Sequence, residues 1–421
     1  MNMNLLNPET SKQDLSVERK IIYADHGATT KIRAEVLEIM TEVLSNNFGN
    51  PSSIHTVGKK SREIIEIARE SLAKLVNAEA NQIYFTSGGT ESDNAVILGL
   101  ARLFEKSPEQ FKNKQKKIIT SKIEHPAVKE PLEYLQNKGW DIKWVDVDKE
   151  GFLNLDQLTE YLTSDVLLVS VIHANNEIGT IQDIKTISRL CRQKNILFHT
   201  DAIQSVGKIP VDLKELEADF LSMSAHKIYG PKGVGALYIK ADINLLPLQF
   251  GGGQENNIKP GTENVPGIAG FGEAARLIKN ELKYNAEYLS SLQIKLFESL
   301  SEVKKLIPTG PSVQKIKENF SREKYLYRVP GHVSFCTDLM EGESLVLQLD
   351  LRKIASSSGS ACRSREVQTK NARIEPSHVL LACGFKENIA KGSLRLTFGR
   401  DNTEEDILYI AKCIKGIIDK S

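Results

Sequence analysis

The sequence predicts an α/β protein with a large domain built on a mostly parallel β-sheet and a smaller domain of the α+β type. Strand-like and helix-like segments alternate from about residue 82 to residue 240. Several strand-like runs, such as Val166–Ile172, are apolar at nearly every position rather than at every second one. Strands of that kind are typical of parallel sheets that helices cover on both faces.

The composition is that of an ordinary globular protein of about two domains. The 421 residues are 26% charged and 40% hydrophobic, with a formal net charge of +1. A balance so near neutrality gives no sign of binding to nucleic acid or to a membrane surface. No apolar signal segment opens the chain, so we expect a cytoplasmic protein. The five cysteines are scattered and odd in number, which argues against a disulfide framework or a metal site.

Changes in sequence character divide the chain into three parts. Residues 1–20 are polar and mixed, and we expect a flexible extension there. Residues 35–281 contain the alternating segments and are expected to form the large domain. Residues 21–34 and 282–421 are expected to form the small domain, to which the strand-like Ile21–Tyr23 can return.

The first elements of the large domain surround a glycine-rich turn. We predict a strand over Gln82–Thr86, a loop over Ser87–Ser92 and a helix over Asp93–Phe104. Free backbone N–H groups at such a helix start, with the hydroxyl of Thr90 or Ser92, can bind a phosphate. A turn of purely structural role has the same pattern. Further strands are predicted over residues 117–121, 142–145, 196–200 and 218–222, with helices over 57–77, from 126 and over 155–162.

Polar side chains follow the ends of these strands. They are Glu124, His125, Asn175, Asp201, Gln204 and Lys227. Each has a structural explanation when taken alone, such as an N-capping aspartate, a turn asparagine or a solvated lysine. Because the carboxyl ends of parallel strands meet at one edge of a sheet, we expect a single site there.

Pyridoxal phosphate chemistry needs such a set of groups. The aldehyde of this cofactor requires a lysine, for which Lys227 is the candidate, and its ring nitrogen requires a carboxylate. Its phosphate requires a loop of hydrogen-bond donors, and its ring requires a flat stacking partner. The sequence therefore predicts an enzyme that uses pyridoxal phosphate.

Two features stand apart in the second part of the chain. Ala355–Arg363 consists mostly of small residues, and its Cys362 is a candidate for an accessible thiol of low pKa. Arg395 lies in a predicted strand between Leu394 and Leu396, so it faces the opposite surface from both. There it could bind a substrate carboxylate in a fork or pair with a carboxylate of the protein.

From about residue 21 to its end, the chain resembles the cysteine desulfurases of the NifS and IscS type, which are class V aminotransferases of fold type I. The segments that carry the resemblance are Asp25 with Ala28–Thr30, Phe48–Ser52, Thr86–Asn94, Glu124–His125, Asn175–Gly179, Asp201–Ser205, Ser224–Gly233, Pro260–Asn264 and Ser357–Cys362. The departures are Lys259, where an arginine is usual, the His26-Gly27 pair, and a longer, more basic segment over Arg363–Glu375.

The resemblance implies a role for each site residue. Lys227 would bind pyridoxal phosphate covalently, Asp201 would pair with the ring nitrogen, and His125 would stack on the ring and shuttle protons. Asn175 and Gln204 would bond near the ring hydroxyl. The phosphate would be bound by Gly89, Thr90, Ser224 and His226, and by Thr262 from the second subunit of a homodimer.

The resemblance also implies the reaction. L-cysteine, bound through Arg395 and Asn175, would become L-alanine, and its sulfur would remain on Cys362 as a persulfide. An acceptor protein, such as an iron–sulfur scaffold or a thiolation protein, would take the sulfur, and Cys362 could also bind an iron–sulfur cluster transiently. The alternatives are another transaminase or lyase that uses the same cofactor on the same fold, or a sulfur carrier without catalysis.

Overall fold

The computed structural model describes residues 20–321, 327–359 and 375–420. The strands, in chain order, are β1 (Ile22–Tyr23), β2 (Ile83–Thr86), β3 (Lys117–Ser121), β4 (Asp141–Val145), β5 (Leu168–Ser170), β6 (Leu197–Asp201), β7 (Phe220–Ser224), β8 (Gly235–Ile239), β9 (Ile307–Pro308), β10 (His332–Cys336), β11 (Ile354–Ala355) and β12 (Ser393–Thr397). The helices are α1 (Ala34–Asn46), α2 (Thr56–Val76), α3 (Gly89–Lys106), α4 (Pro126–Asn137), α5 (Leu155–Tyr161), α6 (Ile184–Gln193), α7 (Leu213–Leu216), α8 (Val265–Leu300), α9 (Val313–Ser321), α10 (Gly342–Asp350), α11 (His378–Ala382), α12 (Glu387–Lys391) and α13 (Glu404–Ile418). No helix in these ranges combines the length and the apolar character that a bilayer crossing requires.

Seven strands form the large sheet, in the order β2-β8-β7-β6-β5-β3-β4. The pairs from β7 to β4 are all parallel, whereas β8 runs antiparallel to both of its neighbours. Helices separate the parallel strands along the chain. The predicted α/β fold with a mostly parallel sheet is confirmed.

The apolar strands of this sheet are buried on both faces. In β5, Leu168 belongs to a core with Phe104 and Trp140. The next residue, Val169, belongs to a second core that also contains Phe271. Successive side chains of a strand point to opposite faces, so a strand with helices on both sides has no polar positions to alternate.

The second part of the chain forms an antiparallel sheet, β12-β10-β9, and a parallel pair, β1-β11. Its core includes Leu292, Leu296, Phe335 and Ile414. Helix α8 contributes to both cores, because Phe271 lies in the core of the large sheet and Leu296 in the smaller one. The predicted domain boundary between residues 281 and 282 falls inside this continuous helix, and the division into domains stays a prediction.

Helix α3 begins at Gly89 rather than at the predicted Asp93. The sequence predicts a loop for the Gly-Gly pair, but Gly89 is helical and tightly packed. A Cβ atom on Gly89 would lie 2.0 Å from Cδ1 of Ile203. Close packing against the loop after β6 therefore favours glycine at position 89. Of the two glycines, Gly88, with φ of 152°, is the one that needs the backbone freedom of glycine.

Replacement of Gly272 by alanine should destabilise the fold. A Cβ atom there would lie 2.5 Å from Cα of Ala68, at the crossing of α8 and α2. Overpacking against a helix backbone costs roughly 1–3 kcal/mol, which urea-induced unfolding can measure. Gly416→Ala in α13 is the matched control, because a Cβ atom there meets nothing within 4 Å. The control should gain about 0.5–1 kcal/mol from helix propensity, and an equal loss in both variants would contradict this account of the helix crossing.

Candidate active site

The carboxyl ends of β3, β5, β6 and β7 open into a cavity of about 500 Å³. The predicted site residues that line it are Gly89, Thr90, His125, Asp201, Gln204, Ser224, His226, Lys227 and Arg395. Lining residues that the sequence analysis did not assign to the site include Asp25, Ile172, Asn176, Ile203 and Ser357. Two larger clefts have volumes of about 580 and 890 Å³, and the second shares Thr90 and His125 with this cavity. Neither Lys227 nor Asp201 lines them. The expected convergence of polar groups at one sheet edge is therefore present.

Lys227 ends a 3₁₀ turn, Ala225–Lys227, that directly follows β7. Its Nζ donates hydrogen bonds to the carbonyl oxygens of Gly27, at 2.6 Å, and Ala28, at 2.8 Å. The amine of Lys227 is therefore hydrogen-bonded to the backbone of the loop after β1. This amine lies in the cavity wall and is not a solvated loop charge.

Asp201 is the last residue of β6, a central strand, and only 3% of its surface is exposed. One carboxylate oxygen accepts a hydrogen bond of 2.9 Å from the backbone N–H of Ile203. Burial, with a contribution from the nearby carboxyl of Asp93, raises the pKa of Asp201 to about 8. A cation placed beside Asp201 would offset this desolvation and favour the carboxylate.

Two more buried acids lie near Asp201. Glu124 was expected at the site but does not line the cavity, and Asp93 was not singled out by the sequence analysis. Burial raises the pKa of Glu124 to about 8, although the hydroxyl of Ser121 and the N–H of Ile172 donate to its Oε1 atom. Burial also raises the pKa of Asp93 to about 7. Glu124 is therefore largely protonated at neutral pH and Asp93 about half protonated, so the interior near the cavity carries less negative charge than its acidic residues suggest.

The two cavity histidines are neutral. His125 caps α4, and its Nδ1 accepts a hydrogen bond of 3.1 Å from the N–H of Ala127, so the ring proton lies on Nε2. Burial, helped by the charge of Lys227, lowers the pKa of His125 to about 4. Burial and the same charge lower the pKa of His226 to about 4 as well.

One end of the cavity is suited to an anion. Gly89 and Thr90 are the first residues of α3, an 18-residue helix, and both line the cavity beside Ser224. The Oγ atom of Ser224 is buried and has no hydrogen-bond partner within the described ranges. The Ser92 hydroxyl, the alternative donor named above, lies instead 2.9 Å from that of Thr86. A helix start with an unused buried hydroxyl fits a phosphate.

Of the two adjacent asparagines after β5, the predicted Asn175 does not line the cavity, whereas Asn176 does. The amide of Asn175 is fully buried, donates to the carbonyl of Ile123 at 2.9 Å, and accepts from the N–H groups of Glu177 and Ile178. Asn175 thus holds the turn, and Asn176 is the member of the pair that lines the cavity. Sequence alone could not separate two adjacent asparagines whose directions depend on the turn.

Arg395 reaches the cavity from β12 while Leu394 and Leu396 lie in the small core, as expected. Its Nη2 donates to Oδ1 of Asp25 at 2.9 Å, and its Nη1 donates to the carbonyl of Asn176 at 2.9 Å. The ion pair with a protein carboxylate, which was the alternative for Arg395, is therefore formed in this structure.

Among the described residues, the predicted site residue Thr262 joins Asn175 in not lining the cavity. Thr262 is exposed. Three features of the sequence analysis lie outside the described residues. They are Cys362, residues 1–19 of the predicted extension, and most of the basic segment Arg363–Glu375. The other cysteines, Cys191, Cys336, Cys383 and Cys413, are buried. Burial raises the pKa values of Cys191, Cys336 and Cys383 to about 12, so these three thiols are poor nucleophiles.

The residues present fit pyridoxal phosphate. Among the described residues that line the cavity, Lys227 has the amine for the aldehyde, and Asp201 has a buried carboxyl whose ionisation a neighbouring cation would favour. Ser224 supplies a buried hydroxyl without a partner in the described part of the chain, next to the start of α3. The set of groups is the one that this cofactor requires.

Comparisons with known proteins agree with this geometry. A family model described as Aminotransferase class-V matches residues 22–410. The chain is similar to a cysteine desulfurase IscS of Methanosarcina thermophila, with 42% identity over 410 residues that cover 97% of this chain and 94% of the relative. It is similar to the solved structure of a NifS-like protein, with a TM-score of 0.83, 36% identity, and coverage of 95% and 100% of the two chains. A structure described as SspA in complex with cysteine has a TM-score of 0.72, 30% identity, and coverage of 91% and 100%.

Glu124→Gln should make the fold less sensitive to rising pH. The folded protein keeps Glu124 protonated up to about pH 8, whereas the unfolded chain loses this proton near pH 4.5. Stability is therefore lost as pH rises between these values, and glutamine, which resembles the protonated acid, avoids the loss. Between pH 5.5 and pH 8 the variant should lose less unfolding free energy than the wild type, by on the order of 1–3 kcal/mol.

Urea-induced unfolding at both pH values measures this difference. Glu109→Gln at an exposed position is the control and should follow the wild type. A Glu124→Gln variant that follows it too would mean that Glu124 is ionised in the folded protein.

Proposed function

Because the chain belongs to the class V aminotransferase family, we propose that it is a cysteine desulfurase that uses pyridoxal phosphate. Its reaction converts L-cysteine and the thiol of Cys362 into L-alanine and a persulfide on Cys362. The C–S bond of the substrate breaks, an S–S bond forms, and a proton replaces sulfur on the substrate's Cβ, so no external oxidant or reductant is needed. The observation that carries the proposal is that Lys227, Asp201 and Arg395 line one cavity.

The residues of the cavity divide between cofactor and substrate. When bound, pyridoxal phosphate supplies an acceptor for the electrons released at the substrate's Cα. Lys227 would hold it covalently, and Asp201 would pair with the ring nitrogen, whose positive charge would offset the desolvation of the carboxyl. Gly89, Thr90, Ser224 and His226 would bind its phosphate, and Arg395 would bind the substrate's carboxylate.

Two groups in the cavity can hold or move a proton. The neutral His125 presents its Nε2–H, because its Nδ1 already accepts from the backbone of Ala127. The Nζ of Lys227 is the second such group. With its pKa lowered to about 4, His125 stays neutral throughout the physiological pH range and acts through this one proton.

The sulfur step distinguishes this function from a transaminase or lyase on the same fold, because only a desulfurase needs a thiol as nucleophile. Cys362 is the candidate, since the four cysteines that the structure describes are buried. The chain leads towards Cys362 from Ser357, which lines the cavity. An acceptor protein, such as an iron–sulfur scaffold or a thiolation protein in the cytoplasm, takes the persulfide sulfur.

A homodimer accounts for an exposed apolar surface near Thr262. Phe250 is 90% exposed, and Phe48 and Ile54 are more than 80% exposed. The segment that follows Phe250 is firmly anchored, because Arg69 binds both carboxylate oxygens of Glu255 at 2.8 Å. A second copy covers these side chains, and Thr262 of each copy reaches the other's phosphate.

Two substitutions test the reaction with L-cysteine as substrate. Cys362→Ser should keep the visible absorption of the bound cofactor but release no alanine, because the thiol that takes the sulfur is gone. Lys227→Ala should lose both the covalently bound cofactor and turnover, whereas Lys232→Ala, at an exposed position nearby, should behave as the wild type. Mass spectrometry should find the added sulfur on Cys362 in the wild type. Alanine release by Cys362→Ser at the wild-type rate would contradict the proposed function.

Phe250→Asp should shift the protein from dimer to monomer, because a charge at the centre of an apolar interface is costly to bury. Light scattering over a range of protein concentrations measures the change. Leu351→Asp is the matched control, since Leu351 is 82% exposed but lies at the end of α10, in the other part of the chain. If Phe250→Asp and the wild type have the same mass, this surface does not form the dimer.

A further inference from the structure

A short loop after β1, residues Asp25–Ala28, contacts three functional side chains at once. Oδ1 of Asp25 accepts from Arg395, the carbonyl of Gly27 accepts from Lys227 and Gln204, and that of Ala28 accepts from Lys227. Asp25 is the acidic side chain of this loop, and it lines the cavity. The proposed function gives it no role.

The guanidinium of Arg395 does not present a complete edge to the cavity. A carboxylate binds arginine best in a fork, through two N–H groups on one edge. Here Nη2 donates to Asp25, Nη1 donates to the carbonyl of Asn176, and Nε is buried without a partner in the described part of the chain. The side chain of Arg395 is only 5% exposed. An arriving carboxylate that binds through the edge containing Nη2 therefore competes with Asp25 for this edge.

Of the two guanidinium hydrogen bonds of Arg395, the one to Asp25 is the easier to break. The carbonyl of Asn176 belongs to the turn that Asn175 holds in place. The Asp25 side chain is 19% exposed and can rotate towards the cavity. Its backbone is fixed, since the hydroxyl of Tyr23 donates to its carbonyl and its neighbour His26 bonds to Thr397.

We propose that Asp25 occupies, in the substrate-free protein, the position on Arg395 that the substrate's α-carboxylate takes, and that the substrate binds by displacing it. The inference rests on the proposed function, in which Arg395 binds that carboxylate. A buried arginine without an anion is costly, and Asp25 removes this cost while the site is empty. Two carboxylates at one guanidinium repel each other, and at a side chain that is only 5% exposed this repulsion favours the loss of one of them.

The exchange makes the α-carboxylate a requirement for binding. A ligand with a carboxylate replaces Asp25 by an equivalent anion, and the charge of Arg395 remains paired throughout. A ligand without one leaves Asp25 in place and gains nothing from Arg395. Asp25 therefore lowers the affinity for every ligand that needs Arg395, and its effect is limited to such ligands.

Asp25→Asn tests the competition kinetically. The asparagine amide still reaches Arg395, but as a neutral acceptor it competes more weakly than a carboxylate. The KM for L-cysteine should fall by about fivefold, with no matching change in kcat. Asp141→Asn is the matched control, because it removes a carboxylate from a surface ion pair with Lys143 at 3.0 Å, and it should leave KM unchanged.

Binding of propanoate, followed by calorimetry on the cofactor-loaded protein, gives a readout independent of turnover. Propanoate has the carboxylate without the amine or the thiol, and propanamide is its uncharged counterpart. Asp25→Asn should bind propanoate about fivefold more tightly than the wild type and propanamide no differently. Asp25→Ser, which also removes the carboxylate, should likewise bind propanoate more tightly and propanamide no differently, and serves if the asparagine variant is poorly folded.

The outcomes separate this inference from the proposed function. A KM that rises or stays the same in Asp25→Asn, with unchanged propanoate affinity, would mean that Asp25 only holds Arg395 in place, and the inference would be wrong. Failure of the wild type to release alanine from L-cysteine would overturn the proposed function instead. The propanoate titration would still report on Asp25 in that case.

Discussion

Burial of ionisable groups at the carboxyl edge of the large sheet governs the functional site. The sheet is covered on both faces, so its strand ends lie where water is scarce, and Asp201, Glu124 and Asp93 all have raised pKa values there. The same environment lowers the pKa values of His125 and His226. The site is thus nearly free of charge except on Lys227 and in the ion pair of Arg395 with Asp25. A ligand that brings a cation to Asp201 and anions to the helix start and to Arg395 supplies the charges that this interior lacks.

The loop Asp25–Ala28 connects this edge to the rest of the molecule. It follows β1, which pairs with β11 beside the smaller core, yet its carbonyls receive Lys227 and Gln204 from the large sheet. The hydroxyl of Thr397 accepts from the N–H of Gly27 at 2.6 Å. A Cβ atom on Gly27 would lie 3.1 Å from the side chain of Thr397, so glycine lets the loop pass close to β12. Both parts of the chain are therefore needed to complete one cavity.

Much of this arrangement could be predicted from the sequence, because it depends on local signals. Runs of apolar residues indicate the strands, and the polar residues after them, such as Asp201 and Lys227, lie where parallel strands end. The rest depends on contacts that no local pattern carries. Asp25 and Arg395 are 370 positions apart, and the choice between Asn175 and Asn176 follows from a turn closed by backbone N–H groups. Gly89 was misassigned because close packing and flexibility select the same residue.

Helix α8 sets a limit on how the protein can adapt to its ligands. Its 36 residues make a rod of about 54 Å, with one end fixed in the core of the large sheet and the other in the smaller core. Moving the two parts apart at this junction would require bending an unbroken helix whose side chains are packed at both ends. The continuous helix therefore resists any change in the distance between the two cores. Adaptation to ligands of different size then falls to side chains of the cavity wall rather than to a separation of the two cores.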